Sequence, residues 1–72
     1  MANTENMHPV QQARKQQGLN REGLAFKAGV TVRTIERIEA AQVMPHEVTK
    51  RSIARVLGTT PSDLWPEQEA AA

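Results

Sequence analysis

Apolar residues recur along the chain at intervals of three and four, and glycine, proline and small polar residues interrupt the pattern between the segments. That period is helical, not the alternation of a strand. Pro9 suits the first position of a helix, where its missing N–H costs nothing. This helix runs to about Gln17 with Val10 and Ala13 inward, Gly18 ends it, and Leu19 returns to the core. Asn20 is a good N-cap for a second helix, Arg21 to Ala28, with Leu24, Ala25 and Ala28 at helical spacing. Gly23 is a local misfit there. It costs about 1 kcal/mol against alanine and sits where Glu or Gln would complete a capping box. Gly29 supplies a left-handed residue to end the helix. Thr31 can cap a third by accepting a hydrogen bond from the backbone N–H of Arg33 or Thr34.

After Glu39 a connector, AAQVMP, ends at Pro45. Thr49 reads as the cap of the fourth helix, with Val48 packing on Ile53 as a hydrophobic staple. Ile53, Val56 and Leu57 form its inward side, Ala54 fills a close contact, and Gly58 stops it. Thr60 and Pro61 open a last single turn through Leu64 and Trp65, and Pro66 closes it. Val43 and Met44 read as core in preference to an exposed pairing patch. The pattern predicts an all-α fold, a compact bundle of four to five short helices. Residues 1–7 are expected as a flexible arm, 8–66 as the domain and 67–72 as a disordered tail.

The stretch LAFKAGVTVRTIERIE, Leu24 to Glu39, holds the fold's most informative spacing. Helix, turn of about three residues, helix is the geometry of a DNA-binding helix-turn-helix. At roughly 100° per residue, Ile35 and Ile38 define a buried face of the third helix. Arg33 and Arg37 fall opposite, Glu36 beside them, Val32 on the flank and Glu39 at the edge of the buried face. Two isoleucines inward and two arginines outward describe either an ordinary surface helix or a reader of the major groove.

Seventy-two residues make one small domain. With no cysteine there is no disulfide, thiolate metal site or cysteine nucleophile. No apolar run approaches the roughly 20 residues that span a membrane, and no signal-peptide pattern precedes the domain, so a cytoplasmic protein without membrane contact is expected. Phe26 and Trp65, the two aromatics, provide no stacking platform for single-stranded nucleic acid. His8 and His46 are isolated, without a triad-like or metal-like set around either, and a chain this small leaves little room for a dry pocket. No enzyme, metal or cofactor is expected. The net charge of +1 conceals an asymmetry: all nine basic residues lie between Arg14 and Arg55 with only Glu22, Glu36, Glu39 and Glu47, a local net of +5. A basic middle between acidic ends suits a polyanionic partner.

The run from Val10 to Trp65 resembles the phage-repressor type of helix-turn-helix, the lambda repressor-like or xenobiotic-response-element class. The matching positions are Arg14; Gly18-Leu19; Leu24-Ala25; Gly29, Val30 and Thr31; Ile35, Ile38 and Glu39; Pro45; Ile53-Ala54; and Leu57-Gly58. The resemblance implies a bundle that binds double-stranded DNA, often as a homodimer, with the helix-turn-helix formed by helices 2 and 3. It implies base contacts from Val32, Arg33 and Arg37, and backbone contacts from Asn20, Arg21, Thr34 and Gln42. For Arg14 and Glu39 it implies a structural, partly buried salt bridge. The chemistry suits these roles: arginine pairs bidentately with guanine O6 and N7, valine meets a thymine methyl, and a helix N-terminus faces phosphate.

Three departures stand out. Ala41 occupies the position of the family's usual glycine, which leaves the third helix free to run on or bend differently. Gln42-Val43-Met44 replaces a more basic loop. Lys50 sits where an apolar residue is usual and is expected to snorkel. A dimer surface is sought around the fourth helix and the Leu64-Trp65 turn, where Trp65 reads equally well as core. Two other readings stand beside DNA binding: a protein-interaction module on the same fold, such as an antitoxin or phage accessory protein with a protein partner, and a mercury-resistance-type regulator. The last normally begins with the motif and continues into strands, whereas a whole helix precedes the motif here.

Overall fold

The computed structural model describes residues 7–66; all of the arm expected at 1–7 except Met7, and the whole tail expected at 67–72, lie outside the described residues. The elements are α1 (Pro9–Gln16), α2 (Arg21–Ala28), α3 (Val32–Glu39), α4 (Glu47–Leu57) and α5 (Pro61–Leu64). The described residues form an all-helical bundle with no strand. None of these helices is long and apolar enough to cross a membrane.

Caps and turns set the limits of the first three helices. His8 precedes Pro9, and its Nδ1 accepts a hydrogen bond from the Val10 N–H at 3.0 Å. Asn20 Oδ1 accepts from the Gly23 N–H at 2.7 Å, and Thr31 Oγ1 from the Thr34 N–H at 3.2 Å. Gly23 is less of a misfit than local propensity suggests. A Cβ there would lie 3.1 Å from Asn20 Oδ1 and 3.4 Å from Leu19 Cδ2. The tight cap therefore leaves little space for a side chain.

The tight link between α2 and α3 depends on Gly29, whose φ of +74° turns the chain while Val30 donates back to the Ala25 carbonyl at 2.9 Å. The same closure, a 6→1 hydrogen bond around a left-handed residue, ends α1, α3 and α4. Glycine occupies the left-handed position in every case but one. After α3 it is Ala41, at φ +59°, with Ala41 donating to the Ile38 carbonyl and Gln42 to that of Arg37. Despite the alanine, α3 stops and the connector bends away as it would with glycine. A residue with a Cβ adopts this conformation at a cost of roughly 1–2 kcal/mol.

α4 begins earlier than expected. It starts at Glu47 behind His46, which makes no side-chain cap, and Thr49 lies inside the helix. Val48 is 75% exposed and does not staple onto Ile53. The early start adds backbone hydrogen bonds, beginning with Lys50 N–H to the His46 carbonyl at 2.9 Å, and sets Glu47 in the first turn, where the helix dipole favours a carboxylate. It also brings Lys50, Ile53, Ala54 and Leu57 onto one buried stripe. Lys50 accordingly does not snorkel out to water. It is 4% exposed, with Nζ 3.4 Å from Glu47 Oε2 and 5.9 Å from the centre of the Trp65 ring, within cation–π range.

The core joins Val10 of α1, Leu24 and Ala25 of α2, Ile35 and Ile38 of α3, Ile53, Ala54 and Leu57 of α4, and Leu64 and Trp65 at α5. α2 packs on α3 and α4, α1 on α3 and α5, and α5 on α4. Gln17 Nε2 donates to the Leu57 carbonyl at 2.9 Å and ties the ends of α1 and α4 together. Trp65 is core. Val43 and Met44 are not: they are 41% and 53% exposed, because the bend at Ala41 carries the connector over the surface.

Candidate nucleic-acid interface

α3 is held from one side and left open on the other. Ile35 and Ile38 are fully buried, and Glu39, next on the same face, is clamped by arginines. Arg14 of α1 donates through Nε to Glu39 Oε2 at 2.8 Å and through Nη2 to Oε1 at 3.2 Å, while its Nη1 donates to the Leu19 carbonyl at 2.9 Å. A second arginine joins them: Arg21 Nε donates to Glu39 Oε1 at 3.1 Å. The carboxylate side chain is 2% exposed, Arg14's is 8% and Arg21's 45%. No buried side-chain nitrogen or oxygen among the described residues lacks a hydrogen-bond partner. The arrangement locks α3 to α1 and α2, so the outward side chains of α3 are presented from a fixed frame.

On the open side, Arg33 and Arg37 are exposed, as are Glu36 and Gln42. These four side chains form no hydrogen bond or ion pair with any described residue. Arg33, Arg37 and Gln42 surround a shallow depression of about 330 Å³ together with Glu36 and Ala40. Asn20, Arg21 and Val32 border a second, of about 480 Å³, with Lys15 of α1 and again Glu36. α3 thus stands between two open depressions, and Glu36 is common to both.

Sequence-expected residues differ in how free they are. Val32 is half-buried and packs against the edge of the core, so only part of it faces outward. Thr34 is half-buried and its hydroxyl lies 2.9 Å from that of Thr31, inside the cap of α3. Asn20 is exposed but its Oδ1 is committed to the N-terminus of α2. Arg21 has its Nε on Glu39, with the side chain still nearly half exposed. Gln42 is placed beside Arg37 by the left-handed turn at Ala41. Sequence reasoning assigned no site role to Lys15, an exposed cation on the depression shared with Asn20 and Arg21; its position directly after Arg14 in α1 was the available signal.

A model of the helix-turn-helix family matches residues 10–64, a span that covers the five helices apart from Pro9, the first residue of α1. The chain belongs to this lambda repressor-like helix-turn-helix family. No curated protein and no solved structure matches it significantly. Family membership makes the domain a DNA-binding helix-turn-helix, with α2 and α3 as its two helices.

The chemistry of the exposed face accords with that membership. Arginine offers five N–H donors in a planar fork, suited to guanine and to phosphate, and neither Arg33 nor Arg37 is committed elsewhere in the helix-turn-helix. The histidines lie away from this face. His8 caps α1 with its ring edge-on to Trp65, the centroids 6.1 Å apart, and burial lowers its pKa against an opposing pull from Glu39. His46 is exposed before α4. Among the described residues no group of three or more His, Cys, Asp or Glu stands close enough to hold a metal ion.

Proposed function

We propose that this protein is a sequence-specific regulator of transcription, repressor-like in action, that lays α3 in the major groove of duplex DNA. The observation that carries the reading is the division of α3 itself. One face is fixed by Ile35, Ile38 and the doubly paired Glu39, while Arg33 and Arg37 project unpaired from the other. A rigid helix with two free guanidinium groups offers direct readout of guanine at two positions. Val32 supplies apolar contact to a thymine methyl. Asn20, Arg21, Thr34 and Gln42 are the residues for phosphate contact, with Arg21 held in place by Glu39.

An eight-residue helix reads about half of an operator. Useful affinity then calls for two copies on a palindrome or cooperative binding to repeats. In the test, Arg33→Ala and Arg37→Ala are compared with wild type on a panel of single-base variants of the bound duplex. Each variant is expected to lose roughly 1–3 kcal/mol of preference at one position while keeping its helical content. Intact base preference in both variants would remove α3 from the groove.

A second reading, a protein-interaction module, draws on a specific feature. Phe26 is 86% exposed and Val48 75%, and Val43 and Met44 are also open. Large apolar groups at the surface are costly to leave in water and mark contact sites when they cluster. These residues belong to α2, α4 and the connector, not to α3, so a protein partner at them is compatible with DNA on α3. Phe26→Ala is expected to leave DNA binding intact.

A further inference from the structure

Glu36 is the acidic residue on the open face of α3, and neither packing nor pairing explains it. It is exposed, it contacts both depressions that flank the helix, and it pairs with no described residue although Arg33 lies one turn away and Arg37 is adjacent. On a surface that meets phosphates, a carboxylate is unfavourable unless a hydrogen-bond donor receives it. The ionised group is an acceptor only. In the major groove, guanine offers N7 and O6 and thymine O4, all acceptors, so donors come only from cytosine N4 and adenine N6. Both amino groups have the O6 or O4 acceptor of the paired base on one side; on the other, adenine sets its N7 acceptor, which repels the second carboxylate oxygen, whereas cytosine presents only C5–H.

Resting on the reading of α3 as the groove helix, we infer that Glu36 selects the base: it accepts a hydrogen bond from the N4 amino group of a cytosine and penalises other bases at that position. The flanking arginines favour guanine, so the half-site carries G·C pairs under the centre of α3. The same charge works against binding to unrelated duplex, because it reduces the number of counterions the protein face can release.

The experiment compares wild type, Glu36→Ala and Glu36→Gln in selection of duplexes from a random library, followed by titration of single-base variants of the wild-type motif. Wild type is expected to hold cytosine at one position with a preference of roughly fivefold or more. Glu36→Ala flattens that position alone and binds unrelated duplex several-fold more tightly. Glu36→Gln, which both donates and accepts, shifts the preference toward adenine. Alanine at an exposed helical position retains the fold, and far-ultraviolet circular dichroism checks it. A wild-type motif that Glu36→Ala leaves unchanged at every position overturns the inference while the groove assignment stands. Loss of preference for a base other than cytosine also overturns it. If wild type yields no motif, the groove assignment fails and the inference fails with it.

Discussion

Glu39 receives two arginines of unequal burial, and that inequality gives a quantitative prediction. Arg14→Ala removes a side chain that is 8% exposed and takes with it both oxygens' partners on α1 and the donor to the Leu19 carbonyl. The Glu39 carboxylate, 2% exposed, is then left with a single hydrogen bond from Arg21. Breaking a buried pair from one side costs about 3–5 kcal/mol, because a charge stays behind without adequate solvation. A domain of this size has a total stability of about 3–9 kcal/mol, so Arg14→Ala is expected to lose at least about a third of it. Arg21→Ala removes a side chain that is 45% exposed and leaves the bidentate Arg14 pair intact, so its cost is about 1 kcal/mol or less. Urea unfolding followed by far-ultraviolet circular dichroism separates the two. With a slope of about 1 kcal/mol/M for a small domain, Arg21→Ala moves the midpoint by no more than about 1 M, and Arg14→Ala lowers it by about 3 M or more, or abolishes the folded baseline. Equal losses in the two variants, or an Arg14→Ala protein within about 1 kcal/mol of wild type, would mean that burial does not decide the worth of each bond to Glu39.

Ala41→Gly should raise stability by roughly 0.5–1 kcal/mol, read as a higher Tm, since glycine takes the left-handed position after α3 without a Cβ penalty; an unchanged or lower Tm would count against strain at φ +59°. Gly23→Ala should gain less than the ~1 kcal/mol that helix propensity alone assigns, because the new Cβ meets Asn20 Oδ1 at 3.1 Å; a full gain in urea unfolding would show that the cap yields freely. His8 has a folded pKa below its ordinary 6.5, through burial, and its neutral Nδ1 accepts from Val10. The folded state therefore binds fewer protons than the unfolded one near that pKa. His8's contribution is fully present above pH 6.5 and is lost as pH falls through the lowered folded value. His8→Asn, which keeps a capping acceptor, should flatten that part of the stability–pH curve; identical curves would exclude His8 as its source.

The helical limits were legible where one residue type settles the local choice. Pro9, Asn20, Thr31, Gly18 and Gly29 mark the ends of α1, α2 and α3, and each makes the cap or turn its chemistry favours. The start of α4 was not legible. Thr49 is the better cap by propensity, but the longer helix places Lys50 in line with Ile53 and Leu57, with its charge over Trp65. Tertiary packing decided against the local signal. Val43 and Met44 look like core by composition, yet their exposure follows from a bend at Ala41 that depends on backbone conformation. In the interface, periodicity separated Ile35 and Ile38 from Arg33 and Arg37. It held no sign that Arg21 shares Glu39 with Arg14, since residues 18 and 25 positions away meet there only after folding.

Whether α3 reads duplex DNA is decided by recovering bound duplexes from a random library at two salt concentrations. A groove-reading α3 should yield a defined motif with guanine at the positions served by Arg33 and Arg37, and affinity that falls as salt rises. Two half-sites one helical turn apart, about 10 base pairs, would report the paired copies. Recovery of no motif, with binding that vanishes at physiological salt, would mean that α3 does not read DNA and would turn attention to the exposed apolar side chains of Phe26, Val43, Met44 and Val48.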